Sequence, residues 1–282
     1  MVNAMLSLVL PAYNEELNVE IVVNEALEQV GKTFERFEII VVDDGSKDKT
    51  SHVVDRLATQ HPAQVRVVHQ QPNKGYGAAL TTGFRVAQGD YLMFMDADRQ
   101  YKPEDVKLFE QYIGRADIIA GYRKKRHEPP YRLLIGYTFN TIMTVLFAIH
   151  LRDINCGFKL FKADVWRDLA LTSPSILINA EIYAKAQRQG RSIIEVGVNH
   201  YPRPLGQQSG TSIGVITQAI PETILLWLQL RRYVPPSEID DPVSFVTFAH
   251  KPFPAISLAA GIGFLMGFMT WRLLGRSRRK RK

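Results

Sequence analysis

The chain of 282 residues carries one cysteine, Cys156, so no internal disulfide can form. That suits a reducing compartment, and a lone thiol reads as a packing residue rather than a nucleophile. Surplus charge is missing from most of the chain as well. The net charge is +7, yet the last seven residues, RSRRKRK, hold six basic groups. The rest is near neutral, which leaves a basic tail and excludes a broad nucleic-acid-binding surface. The opening MVNAMLSLVLPAYNEE has no charged start ahead of a long apolar core, so it is expected to be a first strand rather than a signal peptide. The G-x-x-x-x-G-K-[ST] spacing of a phosphate loop is absent, although NKGYGAAL has a similar flavour. Nor is there an internal repeat, or a low-complexity tract apart from the tail. What is there is 46% hydrophobic and 22% charged, enough for one sizeable core.

Long apolar runs are few, and they differ in kind. Residues 253–274, FPAISLAAGIGFLMGFMTWRLL, contain one charge, Arg272, near the far end. About 20 such residues at ~1.5 Å each span a bilayer core of ~30 Å, so a transmembrane helix is expected here. Ala259, Gly263 and Gly267 recur every fourth position, a spacing that permits close helix pairing and a homo-oligomer through this segment. Residues 133–151 also lack formal charge, but Asn140, His150 and several Thr and Tyr side chains favour a half-embedded or domain-covering helix over a span.

The first half of the chain alternates strand-like and helix-like segments. Met5 to Leu10 is an apolar strand expected to end at Pro11, and Val19, Val22, Val23, Ala26, Leu27 and Val30 mark one helical face. FEIIVVDD, Val65 to His69, YLMFM and ADIIAGYR supply further strands. This alternation implies an α/β fold, a Rossmann-like, mostly parallel sheet with helices on both faces. Ligands of such sheets bind at the carboxyl ends of the strands, where this chain places PAYNEE, DDGS and DADRQ. Beyond Tyr201 the pattern changes. Ile213, Ile216, Ile220, Ile224 and Leu228 line one helical face with Gln218, Glu222 and Gln229 opposite, which fits a helix at a membrane interface or one packed on the globular domain.

The strand ends carry the chemistry. Residues i and i+2 of an extended segment point the same way, so Asp96 and Asp98 are expected to converge. Two ionised carboxylates held together need a cation or a proton between them, and a hard divalent ion with oxygen ligands is the natural partner. Gln100 adds a neutral oxygen two residues on. Asp43, in DDGS, suits either a nucleobase or ribose contact or a tight turn. In PAYNEE, Pro11 is expected to end the ladder, Tyr13 offers a stacking face, and Glu15 or Glu16 would favour a helix start.

As an ordered set, LVLPAYNEE, VVDDGSKDKT, NKGYGAAL and MDADRQYKPED resemble the motifs of family 2 glycosyltransferases with the GT-A fold. The likeness runs on through GYR, INCGFKLFKADV, NAEIYAKAQRQG and HYPRPLGQQSG, covers roughly residues 6–210, and is nearest the polyprenyl-phosphate (dolichol-phosphate mannose synthase-like) branch. It implies a nucleotide-sugar donor held around Pro11, Ala12, Tyr13, Glu15, Asp43, Asp44, Gly45, Asn73, Lys74, Gly75, Asp96 and Ala97. It implies Mg2+ or Mn2+ on Asp96, Asp98 and Gln100. Acceptor or donor phosphates would meet Arg123, Arg132 and Arg203, with Asp98 and Arg123 nearest the chemistry, and the acceptor would be a polyprenyl phosphate in membrane lipid. Two departures stand out. Arg203 is followed by PLGQQSGTS with no further basic residue until Arg231, and Arg99 sits where relatives carry an apolar residue. Processive synthases share the early motifs but add a Q-x-x-R-W signature and several spans, which this chain lacks. The expected organisation is a GT-A domain (1–211), an amphipathic interface helix (212–235), a linker (236–252), a transmembrane helix (253–274) and a basic tail (275–282). A donor made in the cytosol places the domain on the cytoplasmic side, although a single span then puts the basic tail opposite, against its charge preference.

Overall fold

A computed structural model describes residues 1–206, 213–231 and 233, with side chains described for all but 213–219. The expected linker, transmembrane helix and tail, and with them the sidedness of the chain, lie outside the described residues. Among the described residues no helix is long and apolar enough to cross a membrane.

The first half follows the local pattern closely: β1 (Val2–Ala12), α1 (Val19–Val30), β2 (Phe34–Asp43), α2 (Thr50–Gln60), β3 (Val65–His69), α3 (Tyr76–Val86) and β4 (Tyr91–Met95). After a 3-10 helix at Pro103–Leu108 come β5 (Ile118–Arg123), α4 (Pro130–Phe147), β6 (Phe158–Lys162), α5 (Ala163–Asp168), α6 (Ile178–Arg188), β7 (Ile193–Val198) and α7 (Ile213–Arg231). The seven strands form one sheet in the order β3-β2-β1-β4-β6-β5-β7. All neighbours are parallel except β6, which runs antiparallel between β4 and β5. The sheet is thus mostly parallel, as expected.

Strand alternation splits the core into two layers. Val9, Ile40, Val42, Phe94 and Phe161 face α3 and α6, while Leu8, Leu10, Ile39, Val41, Met93 and Phe158 face α1 and the 3-10 helix. Central strands are buried on both faces, so they read as unbroken apolar runs. Pro11 does not end β1, which continues to Ala12. Ala12 O accepts the Asp44 N–H, so Pro11 faces the other neighbour, β4, whose pairing with β1 stops at Val9. The missing N–H of proline therefore costs no ladder bond.

The last helix has features of both expected arrangements. α7 belongs to the same compact unit as the sheet and packs Leu226 and Leu230 into the α3/α6 core layer. It does so with the side that carries Glu222. Ile224, Leu225 and Leu228 remain 55%, 56% and 49% exposed. The helix thus covers the domain and still presents an apolar stripe outward. On α4, Tyr131, Leu134 and Val145 are likewise exposed.

Candidate active site

The polar clusters meet at the carboxyl edge formed by β1, β2 and β4. At the end of β2, Asp43 accepts hydrogen bonds from Ser46 N (3.0 Å) and Ser51 Oγ (2.5 Å) and meets His69 Nδ1 at 3.1 Å. Burial pushes this carboxyl up, but those bonds outweigh it and hold it below the usual range. Asp44 accepts from Lys74 N (2.8 Å) and Gly75 N (2.9 Å), while Asn73 Nδ2 bonds Asp44 O (2.8 Å). Gly45 turns the chain with φ +71°. Asp43, Asp44, Gly45, Asn73, Lys74 and Gly75 are therefore one joined structure, in which the NKG segment hangs from the DDG turn. Pro11, Ala12 and Tyr13 lie beside it at the end of β1.

The second carboxylate pair is built differently. β4 ends at Met95, so Asp96 lies just past the strand and Ala97 and Asp98 lie in the turn that follows it. Arg99 carries the turn with φ +65°, a sparsely populated conformation for a residue with a Cβ, and Gln100 N then donates to Asp98 Oδ1 (3.0 Å). The two carboxylates do interact, but by turn geometry and not by strand alternation. Asp96 accepts from Tyr76 Oη (2.9 Å), and burial together with the neighbouring Asp98 pushes its carboxyl up to about 7. Burial raises Asp98 as well, against the pull of Gln100 N and Arg203. Burial and Asp96 drive the Tyr76 phenol well above its ordinary range, so it stays a donor. Gly157 makes room for all this. A Cβ there would lie 2.0 Å from Asp96 Oδ2.

Two of the three expected phosphate-binding arginines are already paired with carboxylates. Arg203 bonds Glu15 Oε1 (2.7 Å) and Asp98 Oδ2 (3.3 Å) and donates to Leu205 O (2.9 Å). Neither Glu15 nor Glu16 starts a helix, contrary to the expectation from sequence, because α1 begins only at Val19. Glu15 precedes the helix, is 8% exposed, and takes Asn18 Nδ2 (2.8 Å) on its other oxygen. Glu16 instead accepts Lys49 N (2.9 Å). Arg123 makes a two-point contact with Asp153 (2.6 and 2.7 Å) and approaches Glu128 (3.4 Å), so much of its charge is already answered. Arg132 has no carboxylate within ion-pair distance among the described residues. It lines a cavity of about 350 Å³ with Gln100, His127, Pro202, Arg203 and Gly206.

Several contributors escaped the sequence reading. Tyr76 lies inside a quoted motif, but its reach to Asp96 spans separate elements. Lys159, 0% exposed in β6, donates to Cys156 O and Asn179 Oδ1 (2.6 Å) and lies 4.9 Å from the Phe94 ring centre. Burial lowers its ammonium to about 8, with Asp96 among the charges that oppose the shift. The available signal was a lysine flanked by apolar residues within the FKLFK run. Cys156 is fully buried and its thiol is pushed up to about 12, in keeping with a packing role.

Two carboxylates and an amide at the mouth of a parallel sheet, beside an arginine-lined cavity, suit an anionic ligand joined to a cation. The sequence comparisons agree with this geometry. The family described as Glycosyl transferase family 2 matches residues 7–169. The chain belongs to glycosyltransferase family 2. A polyprenol monophosphomannose synthase of Mycolicibacterium smegmatis is 31% identical over 219 residues, 73% of this chain and 81% of that protein. Dolichyl-phosphate beta-glucosyltransferase ALG5A of Trichomonas vaginalis is 33% identical over 211 residues, 68% of this chain and 64% of that one. In structure, glucosyl-3-phosphoglycerate synthase of Mycobacterium tuberculosis, solved with Mn2+, uridine diphosphate and glucosyl-3-phosphoglycerate, matches with a TM-score of 0.60 at 19% identity, covering 83% of this chain and 82% of that one. This family member thus has the GT-A-like α/β fold and is a glycosyltransferase.

Proposed function

We propose that this glycosyltransferase moves a sugar from a nucleotide-sugar donor to a polyprenyl phosphate, with inversion at the anomeric carbon. The observation that carries the reading is the buried Asp96–Asp98 pair, which Asp98 joins by hydrogen bonds to Gln100 and Arg203, two residues that line a cavity with Arg132. Two relatives named for polyprenol- or dolichyl-phosphate transfer support it.

The donor set fits a divalent ion. Asp96 is raised because its burial and the neighbouring Asp98 outweigh the Tyr76 hydrogen bond and the positive charges of Lys159 and Arg123, which is a state a bound cation relieves. Among the described residues no cluster of three or more His, Cys, Asp or Glu side chains could hold a metal unaided, so ligand oxygens would complete the coordination. Asp96, Asp98 and Gln100 would hold Mg2+ or Mn2+. When bound, such an ion supplies Lewis-acid stabilisation of a departing diphosphate. The protein's own groups do the rest. Asp44 fixes the NKG segment against which a nucleoside would lie. Arg132 and Arg203 supply charge-assisted hydrogen bonds to phosphate oxygens. Arg123, clamped by Asp153, contributes a fixed positive field more than a free hand. A lipid phosphate is already anionic near neutral pH, with a second pKa of ~6, so attack needs no obligatory general base and Asp98 is left to orient. Exposed apolar residues on α4 and α7 suit work at a lipid surface.

Incubation with labelled nucleotide sugars carrying mannose or glucose, with and without polyprenyl phosphate and Mn2+ or Mg2+, tests the reading. Label in an organic-extractable, lipid-phosphate-linked product is expected. Transfer to a water-soluble acceptor alone would overturn the acceptor assignment.

A further inference from the structure

The start of α3 is held by a loop from the far half of the chain. Pro174 O accepts the backbone N–H groups of Gly77 (2.8 Å) and Ala78 (3.2 Å), which belong to the first helical turn and lack partners within the helix. The approach is close. A Cβ on Gly77 would lie 2.2 Å from Ser173 O and 2.7 Å from Ser175 O. The loop itself is gripped by the buried Glu181, whose side chain is 1% exposed. Its oxygens accept Thr172 N (3.1 Å), Thr172 Oγ1 (3.0 Å) and Ser173 N (2.8 Å), and Lys185 sits 2.7 Å away. At the other end, Ser175 Oγ donates to the Glu222 carboxylate on α7 and accepts Leu177 N at 3.2 Å. Inside, α3 opens with Tyr76, the residue that donates to Asp96.

None of these residues beyond Tyr76 faces the carboxylate turn, yet the contacts run unbroken from α7 to Asp96. We propose that the Thr172–Ser175 loop is the positioning element of the donor and metal site. Glu181 fixes it, Glu222 braces it from α7, and through Pro174 it sets Tyr76 against Asp96. The inference rests on the reading of Asp96 as part of that site. Its physical basis is reach. A hydrogen bond is lost with a shift of well under ~1 Å beyond its normal length, so Tyr76 holds Asp96 only while the start of α3 stays seated. It also makes α7, the helix with the outward apolar stripe, a brace of the site rather than a mere cover.

Glu181→Gln is expected to destabilise too much to be read, so the test uses the ends of the chain of contacts. Full-length protein in detergent is compared as wild type, Ser175→Ala, Tyr76→Phe, the double variant, and Asp96→Ala. Binding of Mn2+ alone, then of Mn2+ with UDP or GDP, is measured by calorimetry, beside Tm and steady-state kinetics. Ser175→Ala and Tyr76→Phe are each expected to weaken Mn2+–nucleotide binding by about threefold to tenfold, and the double variant by no more than the larger single effect, the non-additivity of groups that act in series. Donor KM should rise more than kcat falls. Unchanged binding in Ser175→Ala, or losses that simply add, would overturn the proposal. If Asp96→Ala binds Mn2+–nucleotide as wild type does, the metal-site reading itself fails, which separates the two.

Discussion

The carboxylates at the ends of β2 and β4 sit on the same sheet edge, but the protein answers them to different degrees. At β2, Asp43 and Asp44 are answered by backbone N–H groups, a serine hydroxyl and a histidine, all fixed in place. At β4, Asp96 has one phenol, and Asp98 has one backbone N–H, that of Gln100, beside a long arginine side chain reaching from residue 203. Asp43 is held below its usual range and burial raises Asp44 against two backbone N–H bonds, whereas burial and the neighbouring carboxylate raise Asp96 to about 7. The β2 pair is finished as structure. The β4 pair is left short of positive charge, which is a state suited to a ligand rather than to stability.

Three experiments sharpen or break that contrast. The largest effect is expected from Asp96→Ala, which should lower turnover by ~10² or more while leaving the fold intact. Near-normal turnover with donor and metal present would remove the difference between the pairs. Next, Asp44→Asn should cost about 1–2 kcal/mol in denaturant unfolding, because an amide cannot accept both backbone N–H groups and leaves one unpaired. A smaller, graded effect is expected with pH. Because the fold raises the Asp96 pKa, the folded protein binds that proton more tightly than the unfolded chain, and metal-free stability should fall as pH rises through about 7. Mn2+ affinity should move the other way, weakening by about tenfold for each pH unit below 7 if one proton competes. A flat binding curve between pH 5 and 8 would show that Asp96 is already ionised without the ion.

How much of this the sequence disclosed follows from distance along the chain. The units from β1 to β4 were legible because each strand and its following helix announce themselves by local periodicity. β6 and β7 were not read as strands. FKLFK mixes lysines into an apolar run, and it became a strand by pairing with β4 and β5, remote segments that no local window contains. The site divides the same way. Asp43, Asp96 and Asp98 were visible as polar breaks after buried runs. Partnerships such as Tyr76–Asp96, Arg203–Glu15 and Arg123–Asp153 were not, since each joins separate elements. Pro11 misled for a related reason, because whether proline ends a strand depends on which neighbour it faces.

The stripe of Ile224, Leu225 and Leu228 on α7 also has a practical side. Half-exposed branched side chains on a rigid helix behave as an adhesive in plain buffer, binding plastic, air–water boundaries and other copies of themselves. A particle size measured without amphiphile would therefore report colloidal stickiness, and stoichiometry is better counted in detergent micelles or nanodiscs, where that stripe is already wetted.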